Sequence, residues 1–214
     1  SSMKTLAILA QKGGSGKSTI AVHLAAYALA QNIRPALIDL DPQGSAYDWN
    51  QGRAENDRNS PKLDFVRARE SDLQREKKKA EDNGVQLLII DTAPHSNRDA
   101  AQAAKLADFV LMPCRPARFD LKALISTADI ARLSNTAAAV VINHAQPNSS
   151  KADEAKAVIQ GQGINVLPPV LHRRAAFESA LTGCRAVHEY EPEGKAAEEI
   201  AALFACIKQG MKLP

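Results

Sequence analysis

Short apolar runs alternate with longer stretches of helical period along the whole chain. Runs at 5–10, 36–40, 63–68, 87–91, 109–113, 138–143 and 164–167 read as strands. Several show little polar alternation, as expected of strands buried on both faces of a parallel sheet. Between them, residues 17–31, 45–52, 71–82, 99–106, 121–133, 150–162, 174–182 and 194–208 carry helical patterns. Regular strand–helix alternation predicts an α/β fold, a doubly wound and mostly parallel sheet flanked by helices. Ligands in such sheets bind outside the carboxyl ends of the strands. The most polar stretch, 52–61, reads as a surface loop. In the last helix Ile200, Leu203, Phe204, Ile207 and Met211 form one apolar stripe, with only Lys208 and Lys212 as basic neighbours. That stripe is expected to pack on the sheet rather than on a membrane.

The bulk properties fit this picture. The 214 residues, 45% of them hydrophobic, suit one domain with a large core. Ser1-Ser2 before Met3 look like a cloning remnant, so residues 3–214 are read as the domain. No segment has the length of a membrane span or the form of a signal peptide, which predicts a cytoplasmic protein. A net charge of +3 permits an acidic partner such as DNA without demanding one. Cys114, Cys184 and Cys206 are far apart and read as reduced, packed thiols. Glu76-Lys77-Lys78-Lys79 is most simply a solvated helix face.

The chemistry concentrates after the first strand, at Gln11-Lys12-Gly13-Gly14-Ser15-Gly16-Lys17-Ser18-Thr19. Glycines let backbone N–H groups point inward at a polyphosphate, and a helix opening at Lys17 adds its positive dipole end. Lys17 can reach the β- and γ-phosphates, and the Ser18 hydroxyl can hold Mg²⁺. Gln11 stands where the ordinary phosphate loop has its first glycine, and a second lysine, Lys12, precedes the Gly-Gly pair. The second strand ends Asp39-Leu40-Asp41-Pro42-Gln43-Gly44, with two carboxylates projecting to one side. One can help hold hydrated Mg²⁺ and the other can orient water; the sequence leaves their roles exchangeable. Leu87–Asp91 is an apolar strand whose terminal Asp91 suits the Mg²⁺ site. His95 reads as a surface residue of the following loop.

Lys-Gly-Gly-x-Gly-Lys-Ser, the Asp39–Gln43 segment and Asp91-Thr92-Ala93-Pro94 together resemble the ParA/MinD family of ATPases with a deviant phosphate loop. The likeness runs from residue 4 to about 204 and is most similar to small, ParF-like partition proteins. It implies ATP and ADP as ligands of residues 12–19, with Mg²⁺ near Ser18, Asp39 and Asp91. It makes Asp41 the water-positioning residue. Lys12, which shows no intrachain duty in the sequence, would reach the nucleotide of a second subunit in a face-to-face homodimer. Asn143, at the end of its strand, would read the adenine edge. The prolines of Pro113-Cys114-Arg115-Pro116 would stiffen a loop near the dimer interface, or simply lead into a helix capped by Asp120. Arg173 and Arg174, beside His172, could contact phosphates of non-specific DNA; Arg185, Lys151 and Lys156 are weaker candidates.

The implied function is DNA partition: a nucleoid-associated ATP dimer, released when a ParB-type or small centromere-binding partner stimulates hydrolysis. The alternatives are positioning of another cargo (chemoreceptors, carboxysomes, flagella, a secretion apparatus) and division regulation at a membrane surface. A biosynthetic kinase or amidotransferase-type ATPase sharing the loop is a further one.

Overall fold

The computed structural model describes residues 2–56 and 61–213. Its strands are β1 (Lys4–Ile8), β2 (Pro35–Asp39), β3 (Asp64–Arg67), β4 (Leu87–Asp91), β5 (Phe109–Cys114), β6 (Ala137–Ala145) and β7 (Val166–His172). They form one seven-stranded sheet in the order β3-β2-β4-β1-β5-β6-β7, and every pairing is parallel. The helices are α1 (Lys17–Ala30), α2 (Ser45–Asn56), α3 (Leu73–Asp82), α4 (Asn97–Leu106), α5 (Leu121–Leu133), α6 (Lys151–Gly161), α7 (Ala175–Thr182), α8 (Val187–Tyr190) and α9 (Lys195–Met211).

Alternate strand residues feed two cores. Leu6, Ile8, Leu37, Leu87, Ile89 and Leu111 face α1, α2 and the carboxy-terminal helices. Ala7, Ile38, Leu88, Ile90, Val110 and Met112 face α3 to α6. Helix α1 is buried almost all round, because α9 and α2 cover what the sheet does not. The apolar stripe of α9 is buried as expected, with Ile200, Leu203, Phe204, Ile207 and Met211 in that core.

Three boundaries differ from the sequence reading. β7 does not stop at Leu167 but runs through Pro168 and Pro169 to His172. It lies at the sheet edge, where a missing N–H leaves no ladder bond unmade, and its register against β6 shifts twice. The expected loop at 52–61 is helical to Asn56; residues 57–60 lie outside the described residues. Helix α8 carried no signal long enough to read.

The buried arginine explains the second difference. Arg53 is fully buried on α2 and pairs with Glu189 of α8 through bonds of 2.6 and 3.0 Å. Its guanidinium lies 4.5 Å from the centre of the Trp49 ring. It also donates to the carbonyls of Pro61 and Cys184. A polar residue read as surface is here the tie between α2 and the carboxy-terminal block.

Candidate nucleotide-binding site

The sheet order decides the site. β1 lies beside β4, and β4 beside β2, so three carboxyl ends line up: Ile8 is in register with Asp91, and Asp91 with Asp39. Both aspartates follow residues of the α3–α6 side (Ile90 and Ile38), so alternation turns them to the α1 side. There the chain leaving β1 makes the glycine turn and enters α1 at Lys17. Gly16 caps that helix with φ 95°, a left-handed conformation that glycine adopts without strain. A Cβ at this position would collide with the Asn143 amide.

Ser18 donates from its Oγ to Asp91 Oδ2 at 2.5 Å, joining the two expected metal-side residues. Asp39 Oδ1 accepts from the Asp41 backbone N–H at 2.8 Å. Asp39 Oδ2 and Asp91 Oδ1 are buried and, among the described residues, meet no donor. Burial pushes the Asp39 carboxyl up to about 6, with the Asp41 charge adding to it and the Asp41 N–H opposing. Burial pushes Asp91 up to about 7; the Ser18 bond opposes this and the neighbouring Asp39 charge adds to it. Two buried carboxylates and a hydroxyl, with oxygens left unmatched, fit a hard divalent cation such as Mg²⁺. Ser18 and Asp91 would hold it, with Asp39 behind them. Lys17 is buried in the same floor. Burial lowers its pKa, while Asp91 and Asp41 favour its charged form. An anionic phosphate would do the same more strongly.

Asp41 is half-buried, and its own turn holds it. Its Oδ1 accepts from Gln43 N–H at 2.9 Å and its carbonyl from Gly44 N–H at 3.1 Å. The clamp on this turn, which no sequence motif marks, is Arg67 at the end of β3. Arg67 donates to the Pro42 carbonyl at 2.8 Å and lies over Tyr47. Gly44 has φ 69°, and a Cβ there would sit 3.0 Å from the Arg67 guanidinium carbon. The loop after Asp91 is tied to the phosphate loop as well. His95, exposed, donates its backbone N–H to the Gln11 carbonyl, and the Gln11 amide bonds Asn97 at 2.7 Å. Thr92 donates to the Ile8 carbonyl.

Three expectations need correction. Lys12 does have an intrachain partner: its Nζ lies 2.8 Å from Asp120 Oδ2. Asp120 also caps α5, accepting from the Ala123 N–H, as its position suggested. Asn143 does not end its strand, since β6 continues to Ala145. Its Nδ2 donates to the Ser15 carbonyl at 2.9 Å and its Oδ1 accepts from the His144 N–H, so the amide braces the phosphate loop from below. Arg174 is not free for DNA: it donates to Glu199 Oε1 at 2.9 and 2.6 Å, and the same carboxylate takes His172 Nδ1 at 2.7 Å. Arg173 remains exposed. Lys156 donates to the Pro168 carbonyl and Arg185 lies over Tyr190. On α3, Lys78 and Lys79 are solvated and paired as expected, with Asp82 and Glu76, whereas Lys77 is half-buried and donates to the Leu106 carbonyl at 2.6 Å.

A parallel sheet carrying a glycine loop before α1, with aspartates closing the two adjacent strands, defines a P-loop ATPase. The chain belongs to the ParA/MinD family: residues 6–184 match the model of the CobQ/CobB/MinD/ParA nucleotide binding domain. It is 36% identical over 183 residues to the maintenance of carboxysome distribution protein A of Gloeobacter kilaueensis, covering 82% of each chain. It is 29% identical over 186 residues to the protein ParA of Rhizobium radiobacter, covering 83% of this chain and 82% of that one. Among solved structures, an ATP complex of a Cyanothece McdA variant superposes with a TM-score of 0.78 at 17% identity. That match covers 100% of this chain and 98% of the other.

Proposed function

We propose that the chain is a positioning ATPase whose ATP-bound dimer holds DNA without sequence preference and lets go on hydrolysis. The observation that carries this reading is the contrast between the two loop lysines. Lys17 is buried in the floor, where it serves the chain's own phosphates. Lys12 has a side chain 54% exposed and, among the described residues, is held by a surface ion pair alone. A solvent-exposed pair of this kind is weak and screened, and is easily exchanged for the charge of a triphosphate. Lys12 would then neutralise the γ-phosphate of the nucleotide in a second copy, so the dimer exists only while that phosphate does.

In this reading Gly13, Gly14, Ser15, Gly16 and Thr19 present backbone N–H groups to the phosphates. Lys17 pairs with them, and Asp41, fixed by its turn and by Arg67, orients the attacking water. Mg²⁺, held by Ser18 and Asp91 with Asp39 behind, supplies charge neutralisation on the phosphates. Arg173 is the DNA contact retained from the basic loop.

The cargo is inferred from the relatives. The 36% identical one is named for carboxysome distribution, so a protein body is the cargo we infer first. A plasmid or chromosome region, with a ParB-type or small centromere-binding partner, is the second reading and leans on the ParA relative. Deleting the gene separates them: misplaced protein bodies with normal plasmid retention favour the first, and plasmid loss with normally spaced bodies the second. The DNA tether is tested by binding to random-sequence duplex without nucleotide, with ADP and with ATP, at two salt concentrations. Binding should need ATP and fall steeply with salt. Full ATP turnover with no DNA binding in any state would remove the tether.

A further inference from the structure

Arg115 follows β5 and leads into the short 3₁₀ turn Pro116–Arg118. Its half-buried side chain borders two cavities flanking the phosphate loop. One is lined by Lys12, Gly13, Gly14 and Asp120. The other is lined by Gly16, Thr19, Asn143 and Phe177. Arg115 is thus shared by the two linings.

Its hydrogen bonding is unfinished. Among the described residues, Arg115 Nε is shut off from water and meets no acceptor. None of the ion pairs among those residues includes it. Three other cations around the site have internal partners: Lys12 has Asp120, Arg174 has Glu199 and Arg67 has the Pro42 carbonyl. Arg115 instead has like charges for company. Burial and the Arg118 charge both work against its charged form. Burial, then Arg115 and Arg173, push the His144 imidazole down. A buried guanidinium donor without an acceptor is costly, and crowding it with cations costs more. The arrangement makes sense if the acceptor and the negative charge arrive together with a ligand.

We propose that Arg115 is a nucleotide-contacting residue, its guanidinium donating to the phosphate–ribose portion of the nucleotide bound in its own subunit. This rests on the assignment of the chain as an ATPase and adds a residue to it. Lys17 and the backbone amides then hold the phosphate chain from α1, and Arg115 holds it from the β5 side. Arg118 and Arg173, which are exposed, keep their water and contribute less.

MgADP is the probe, because it reports on one subunit without the ATP dimer. Titration calorimetry on wild type, Arg115→Gln and Arg115→Lys is paired with the thermal midpoints of the ligand-free proteins. Arg115→Gln should weaken MgADP by about tenfold or more, with a shallower salt dependence, while its ligand-free midpoint stays level or rises. Arg115→Lys should recover part of the affinity. MgADP binding within about twofold of wild type in Arg115→Gln would overturn the proposal. So would a lowered ligand-free midpoint with no recovery by lysine, which marks a structural residue. A wild-type protein that does not bind MgADP would contradict the ATPase assignment and the proposal with it.

Discussion

Asp91 and Asp39 show what a single side chain was made to do before any ligand arrives. Their folded-state values, about 7 and about 6, lie above the ordinary aspartate value of about 3.9. The native protein therefore keeps protons that the unfolded chain releases between roughly pH 4 and pH 7. Their contribution to stability is fully present below that window and is lost as pH rises through it. Thermal melts of the ligand-free protein should show Asp91→Asn flattening the fall in midpoint between about pH 5 and about pH 8. A slope equal to wild type would show that Asp91 holds no such proton. In the proposed site Asp91 holds Mg²⁺ with Asp39 behind it, and both should ionise for the cation, so calorimetry should find MgADP affinity rising over the same window, with proton release on binding. Lys17→Ala should weaken MgADP on the order of 100-fold, since it removes a buried charged donor. These residues were legible in the sequence because each sits at a fixed offset from a strand end. Arg67 and Arg115 were not, because what gives them a task is a turn or a cavity built by a different strand.

Between residue and molecule, two helix ends carry separate duties. Asp120 caps α5 and holds Lys12, and substitution can divide the two. Asn is as good a cap as Asp, whereas Ala costs about 1 kcal/mol. Denaturant titration should therefore find Asp120→Ala destabilised by that amount and Asp120→Asn close to wild type. Asp120→Asn should also free Lys12. At α2 the stakes are higher, because Arg53→Ala leaves Glu189 facing an empty pocket. A broken buried pair costs about 3–5 kcal/mol, which chemical denaturation would register; a loss below about 1 kcal/mol would mean that water replaces the guanidinium. The cap was readable from Asp120 before an apolar-periodic run. The end of α2 was not, because polar residues around Arg53 look solvated until α8 is placed beside them. The edge strand failed for a similar reason: Pro168 and Pro169 forbid a central strand, and only the sheet order shows that β7 lies outside.

At the scale of the molecule, strand order turns a linear pattern into a site. The alternation of strand and helix predicted a parallel sheet, and the sheet is parallel throughout. What the pattern did not contain was β4 standing between β2 and β1, the arrangement that sets Asp39, Asp91 and the phosphate loop side by side. The family match over residues 6–184 agrees with that geometry, and the exposed lysine at the loop's rim is the residue placed to reach a second subunit. There, in the function proposed above, the γ-phosphate joins two copies through Lys12. Sedimentation velocity of wild type, Lys12→Ala and Asp41→Ala, each with MgADP and with MgATP, tests this directly. All three should be monomers with MgADP. With MgATP, Asp41→Ala should form a persistent dimer, wild type a dimer that decays as ATP is consumed, and Lys12→Ala should stay a monomer that still binds nucleotide. A Lys12→Ala protein that dimerises and hydrolyses ATP as wild type does would contradict it.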